Sequence, residues 1–219
     1  MALVFPLSLS DFMSRLPVGE FTFDLGEALE INETLGGDQI SADLGPRLWQ
    51  GRIGLVQMSS EEWSALEPRL ETLRQGGTGF LVTDIRRPAP AADPSGAGLG
   101  NATPTILELQ GDNRQLRLTG LPAGYVLHAG DYIGFTYGTP ERHALHRIVD
   151  DSVIADINGQ TALFEVVPNL RPGTATGRAV ALRSPMCRAI IRPGSVSKGS
   201  TFKTVTSGVG FDWVQRVRP

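Results

Sequence analysis

Glycine and proline interrupt this chain every few residues, with 26 Gly and 15 Pro among 219 positions. Between them lie short runs rich in β-branched and aromatic side chains. Gly supplies turn conformations closed to other residues and Pro breaks both ladders and helices, so the pattern favours many short strands over long regular elements. Strands are predicted at 20–25, 48–58, 79–84, 105–109, 115–119, 132–137, 144–149, 162–167, 179–182, 189–191, 202–206 and 211–217. That spacing suits barrels or sandwiches and argues against a parallel α/β sheet.

One segment, 59–75, reads as a helix. Ser59-Ser60-Glu61-Glu62 matches a capping box, Trp63, Leu66, Leu70 and Leu73 recur on one helical face, and Gly76-Gly77 forms a stop. Pro68 removes one interior hydrogen bond, so a bend is expected there. The stretch from Arg86 to Gly100 holds almost nothing suited to a core and reads as a linker or surface loop, with residues 91–100 as the linker proper. A second break falls at Arg183-Ser184-Pro185. Residues 101–184 then form an inserted small β-barrel or sandwich domain, and 1–90 joins 185–219 as the outer domain.

Composition narrows the function. The net charge is −3, and no Lys/Arg run offers a local basic patch, so specific nucleic-acid binding is not expected. Among the 20 basic residues only Lys198 and Lys203 are lysines; Arg suits planar contacts across subunit interfaces. The single Cys187 excludes an intramolecular disulfide, and no Cys/His set has zinc spacing. The first residues lack a basic region ahead of their short apolar run, and no run approaches the roughly 20 apolar residues that span a bilayer. Neither a signal peptide nor membrane insertion is expected.

No catalytic constellation is legible. His143 and His146 lie three apart in a predicted strand, where they face opposite ways and do not chelate one metal. His128 precedes a turn and reads as a surface side chain. Asp156-x-Asn158-Gly159 faintly echoes a calcium loop but lacks the later ligands, and a hairpin turn explains it better. There is no Gly-x-Ser-x-Gly elbow, phosphate loop or dinucleotide fingerprint. No cofactor, metal site or enzymatic activity is expected.

Signals for assembly are softer. Trp49, Trp63 and Trp213 all fall in the outer domain and are expected to share one core with the helix packed on a sheet. The terminal run Trp213-Val214-Gln215-Arg216-Val217-Arg218 either closes its own barrel or pairs with a neighbour's edge. Trp213, Arg216 and Arg218 are therefore candidates for self-assembly.

Several stretches resemble tail proteins of long-tailed bacteriophages and phage-like gene transfer particles. The first is Arg47-Leu48-Trp49-Gln50-Gly51-Arg52-Ile53, the capped helix, then Gly77-Thr78-Gly79-Phe80-Leu81-Val82-Thr83-Asp84-Ile85-Arg86-Arg87-Pro88. The second is Gly120-Leu121-Pro122-Ala123-Gly124-Tyr125-Val126-Leu127-His128-Ala129-Gly130-Asp131-Tyr132-Ile133, then Leu145-His146-Arg147-Ile148-Val149 and Ala155-Asp156-Ile157-Asn158-Gly159-Gln160. It closes with Phe164-Glu165-Val166-Val167-Pro168-Asn169-Leu170-Arg171. The order of these motifs, over residues 45–185, is similar to that of distal tail proteins; the first 45 residues carry no distinctive motif. The resemblance implies a split β-barrel with one packed helix and an inserted β domain, six copies forming a ring. It also implies a place at the tail tip of the virion, made in the host cytoplasm. There the ring would join the tail tube protein to the baseplate hub protein and let DNA pass through a lumen that is not basic.

A tube-forming protein or a minor tail component near the hub could share these barrels, and two other functions compete. The inserted domain would be a carbohydrate-binding module if Tyr125, Phe135 and Tyr137, with Tyr132, stood exposed; alternation places Phe135 and Tyr137 on one face, and a core face is the simpler expectation. A tail-associated hydrolase is the third reading.

Overall fold

A computed structural model describes residues 3–218. The chain is mainly β, with 40% of residues in strands and 8% helical, the class expected. The first strands are β1 (Val18–Phe21), β2 (Asp24–Leu25), β3 (Leu29–Glu33), β4 (Gln39–Asp43), β5 (Trp49–Leu55) and β6 (Met58–Ser59). The helix α1 (Ser60–Leu73) and β7 (Phe80–Val82) follow. Next come β8 (Thr105–Leu109), β9 (Gln115–Thr119), β10 (Val126–His128), β11 (Tyr132–Tyr137), β12 (Arg142–Ile148), β13 (Ser152–Ile154), β14 (Phe164–Val167) and β15 (Val180–Ala181). The chain ends with β16 (Cys187–Ile191), β17 (Ser197–Phe202) and β18 (Val205–Gln215).

The larger sheet is split in sequence. Its path is β1-β5-β18-β16-β7, with β2 on β5 and with β6 and β17 on β18. The antiparallel pairs β5–β18, from Gly54↔Gly210 to Gln50↔Val214, and β7–β16, around Val82↔Cys187, stitch the two ends of the chain together. Trp49, Ile53, Phe80, Phe211 and Trp213 are fully buried on this sheet, and α1 lays Trp63, Leu66, Leu70 and Leu73 into the same core. The three tryptophans share one cluster, as expected.

α1 starts where its capping box places it. The Glu62 amide donates to Ser59 Oγ at 3.2 Å, and the Ser59 amide donates to Glu62 Oε2 at 2.8 Å. The Ser59 amide, and then the Ser59 hydroxyl, both donating to Glu62 Oε2, hold the Glu62 carboxyl below the usual carboxylate range. The helix runs on through Pro68 and stops at Leu73, two residues short of the expected end. There the Thr78 hydroxyl donates to the carbonyls of Leu73 at 3.1 Å and Gln75 at 2.7 Å, taking up C-terminal acceptors.

Residues 105–181 build a second sheet in the order β15-β11-β12-β14-β9-β8, with β10 and β13 as a separate ribbon. A bridge between Thr105 and Ala179 brings the two edges together: the Ile106 amide donates to Arg178 O at 3.0 Å and the Val180 amide to Pro104 O at 2.8 Å. The result is a nearly closed six-stranded barrel. Strand alternation sorts β11 and β12. Ile133, Phe135, Tyr137, Ala144 and Ile148 point into the barrel core, whereas Tyr132 and Leu145 point out and join the core of the larger sheet.

Three local expectations are corrected. The Gly/Pro-rich stretch is not a bare tether: Leu99 is buried in the barrel core and Asp93 is buried beside it. The Asp93 carboxylate accepts the amides of Gly98 and Leu99 at 3.1 and 2.8 Å and the Tyr125 hydroxyl at 3.1 Å, so one acid organises a loop poor in apolar side chains. Asn158-Gly159 is a turn without a hairpin, because β13 pairs with β10 and β14 pairs with β12 and β9. It is held by Asp156 Oδ1, which accepts the amides of Asn158 and Gln160 at 2.8 Å each. Gly159 has φ +72°, and an added Cβ would lie 2.2 Å from the Leu121 carbonyl oxygen. Strands β3, β4, β10, β13 and β17 were not expected; the predicted run at 202–206 straddles the turn between β17 and β18, and that at 211–217 falls in the long β18.

Candidate assembly surfaces

The aromatic side chains proposed as a ligand platform are core residues. Tyr125, Phe135 and Tyr137 are 7%, 5% and 1% exposed. Phe135 and Tyr137 do share a face, and it is the barrel interior. The Tyr125 hydroxyl is spent on Asp93, and burial followed by that carboxylate raises its pKa. None of the three offers a ring to a sugar, which corrects that expectation.

Both strand histidines are placed by alternation. His146 is buried and stacked on Phe135 with ring centroids 5.3 Å apart. Its Nδ1 lies 2.6 Å from the Pro168 carbonyl, which only accepts, so Nδ1 carries the proton and Nε2 is a buried acceptor with no partner. Burial pushes its pKa down to about 4. His143 lies on the other face of β12, half-buried, and burial lowers its pKa as well. Among the described residues no group of three or more His, Cys, Asp or Glu side chains is placed to hold a metal ion.

Trp213, a candidate for contacts between copies, is fully buried, with Phe23 at 5.0 Å between ring centroids. Its place is the core of its own sheet because the odd residues of β18 from Val209 to Gln215 face inward, so its side chain is corrected out of any external contact. Arg216 and Arg218 follow the strand and do reach the surface. With Arg142, Arg188, His143 and Glu141 they line a recess of about 40 Å³. Arg142 Nε and Arg188 Nε are buried without hydrogen-bond partners, while Arg188 Nη2 donates to the Gly77 carbonyl at 3.3 Å. Burial, and then the like charge of Arg216, lowers the Arg188 pKa.

The main exposed feature lies in the segment that carried no motif. β3 and β4 pair only with each other, from Leu29↔Asp43 to Glu33↔Gln39, and every residue of both strands is exposed. The turn is closed by the Thr34 amide on Asp38 O and the Gly37 amide on Thr34 O, 2.9 Å each, with Gly37 at φ +86°. Among the described residues, five of the fourteen exposed large hydrophobics, Leu29, Ile31, Leu35, Ile40 and Leu44, fall on this one hairpin. An isolated two-stranded hairpin is marginal in water, and apolar residues concentrated this way mark contact surfaces. The alternating run Leu29-Glu30-Ile31-Asn32-Glu33 before Gly36-Gly37 was the available signal.

Between the two sheets the packing is dense and specific. Trp49 Nε1 donates to the Leu145 carbonyl at 2.8 Å, and the Tyr132 hydroxyl donates to Asp84 Oδ2 at 3.1 Å. The Arg147 guanidinium lies over both rings, 5.0 Å from that of Trp49 and 4.9 Å from that of Tyr132. Burial alone would raise the Asp84 pKa, but paired bonds from Arg86 at 2.9 Å outweigh it and hold the carboxyl below its ordinary value. No helix among the described residues is long and apolar enough to cross a membrane. No protein-family model matches the chain, and no curated protein matches it.

Proposed function

We propose that this chain is a non-enzymatic structural subunit that assembles with copies of itself, forming a ring at the tip of a bacteriophage-type tail. The observation that carries the reading is the hairpin β3–β4, which leaves Leu29, Ile31, Leu35, Ile40 and Leu44 more than half exposed among the described residues. A contact surface of that kind is stable once a neighbour buries it. The split sheet, the single packed helix and the second barrel agree with what the resemblance implies for a distal tail protein. In that role the ring joins the tail tube protein to the baseplate hub protein and leaves a passage for DNA, in the virion. A carbohydrate-binding role for the second barrel loses its support with the burial of Tyr125, Phe135 and Tyr137.

The test is excision of the hairpin, with residues 29–44 replaced by a short Gly-Ser turn. The account expects a folded protein with a normal thermal melt that stays monomeric where the full chain assembles. Unchanged assembly of the excised protein would remove the hairpin from the interface.

A further inference from the structure

We propose that the acidic hairpin β3–β4 of one copy seats on the arginine recess of the next, an inference that rests on the self-assembly reading. Charge is segregated along this chain. From Leu16 to Pro46 there are seven acidic residues and no Lys or Arg, although the whole chain has a net charge of only −3. The rest of the chain therefore holds all 20 basic residues against 16 acidic ones. Glu30, Glu33, Asp38 and Asp43 stand on the exposed hairpin among its apolar residues.

The complementary surface is the recess lined by Arg142, Arg188, Arg216 and Arg218, where Glu141 is the one acidic side chain among the described lining residues. Four guanidinium groups at one recess favour a carboxylate there, since charge-assisted hydrogen bonds from Arg are stronger than neutral ones. At about 40 Å³ the recess has room for a carboxylate group, not for the length of a phosphate backbone. The apolar residues of the hairpin supply contact area around that point, and the charges set which surface they meet. Since hairpin and recess are different surfaces, the contact is heterologous. It closes into a ring when the rotation per copy closes, and it extends as a filament otherwise.

The experiment is a charge swap read by light scattering. One variant carries Glu33→Arg and Asp43→Arg, which share a face of the hairpin with Leu29 and Ile31; the other carries Arg216→Glu and Arg218→Glu. Each is first checked for a wild-type far-UV spectrum and melt. The charge-neutral pair Glu33→Gln and Asp43→Asn serves as a second hairpin variant should the reversal perturb folding, with intermediate weakening expected. Alone, each reversed variant repels itself and self-associates at least about 100-fold more weakly than wild type. Mixed in equal amounts they alternate and assemble again, because each hairpin then meets a recess of opposite sign. Variants that assemble like wild type, or a mixture that stays dissociated, overturn the proposal while leaving a wild-type ring intact. Loss of salt-dependent duplex DNA binding in the recess variant, with assembly unchanged, would overturn it in favour of nucleic acid as the occupant. A wild-type chain that never assembles removes both this inference and the reading beneath it.

Discussion

The indole N–H of Trp49 donates to the backbone carbonyl of Leu145 at 2.8 Å, joining the larger sheet to the barrel across 96 residues of sequence. Both residues are buried, and the ring of Tyr132 and the guanidinium of Arg147 lie against the same indole. The barrel is therefore fixed to the sheet by a directional bond within an apolar contact. Replacing Trp49 with Phe keeps much of the ring and deletes the donor, leaving the Leu145 carbonyl without its partner. The expected loss in urea unfolding is about 1–3 kcal/mol; a loss below roughly 0.5 kcal/mol would show that the bond contributes nothing net.

His146 makes stability depend on pH. Its pKa is about 4 in the folded protein against an ordinary 6.5, so between these values the unfolded chain takes up a proton that the folded chain refuses. Stability is complete above about pH 6.5 and falls as pH drops through the window, by roughly 3 kcal/mol for this one group. The lowered pKa of His143 adds in the same direction. Denaturant midpoints taken across the window should show the fall, and His146→Gln should flatten most of it. An unchanged slope in that variant would place the acid sensitivity elsewhere.

Cys187 is fully buried on β16, opposite Val82, and burial pushes its thiol pKa up. Both effects withhold the thiolate that reacts. Iodoacetamide labelling of the native protein should proceed only as fast as unfolding exposes the strand, and quickly in urea. Rapid stoichiometric labelling without denaturant would contradict the pairing of β16 with β7.

Asp93 holds the Gly/Pro-rich loop closed through two backbone amides and the Tyr125 hydroxyl. Asp93→Ala should make residues 94–98 a site of rapid proteolytic cleavage while the sheets stay folded. Equal resistance in wild type and variant would show that Leu99 alone anchors the loop.

What the sequence made legible follows from which signals are local. The capping box at Ser59 and Glu62 and the face of Trp63, Leu66, Leu70 and Leu73 specify α1 within one stretch of chain, and β8, β9 and β11 were predicted with their observed bounds. Alternation on β11 also placed Phe135 and Tyr137 together. It could not tell that Tyr132, on the opposite face, packs on Trp49, because that depends on a residue 83 positions earlier. The hairpin β3–β4 was missed for a different reason: Leu29 and Ile31 alternate over only five residues, and Ile40, opposite Asn32, falls on the other face, so the two strands do not repeat one pattern. Asp93 read as part of a linker because its partners are amides, which every loop possesses.

The central claim, that the chain assembles with itself, is tested most directly by the solution mass of the purified protein, with negative-stain images of the same fraction. The account predicts a species near six times the 23.5 kDa chain mass, seen as a ring with a central hole. A particle of 23.5 kDa at every concentration, with the hairpin exposed to protease, would contradict it.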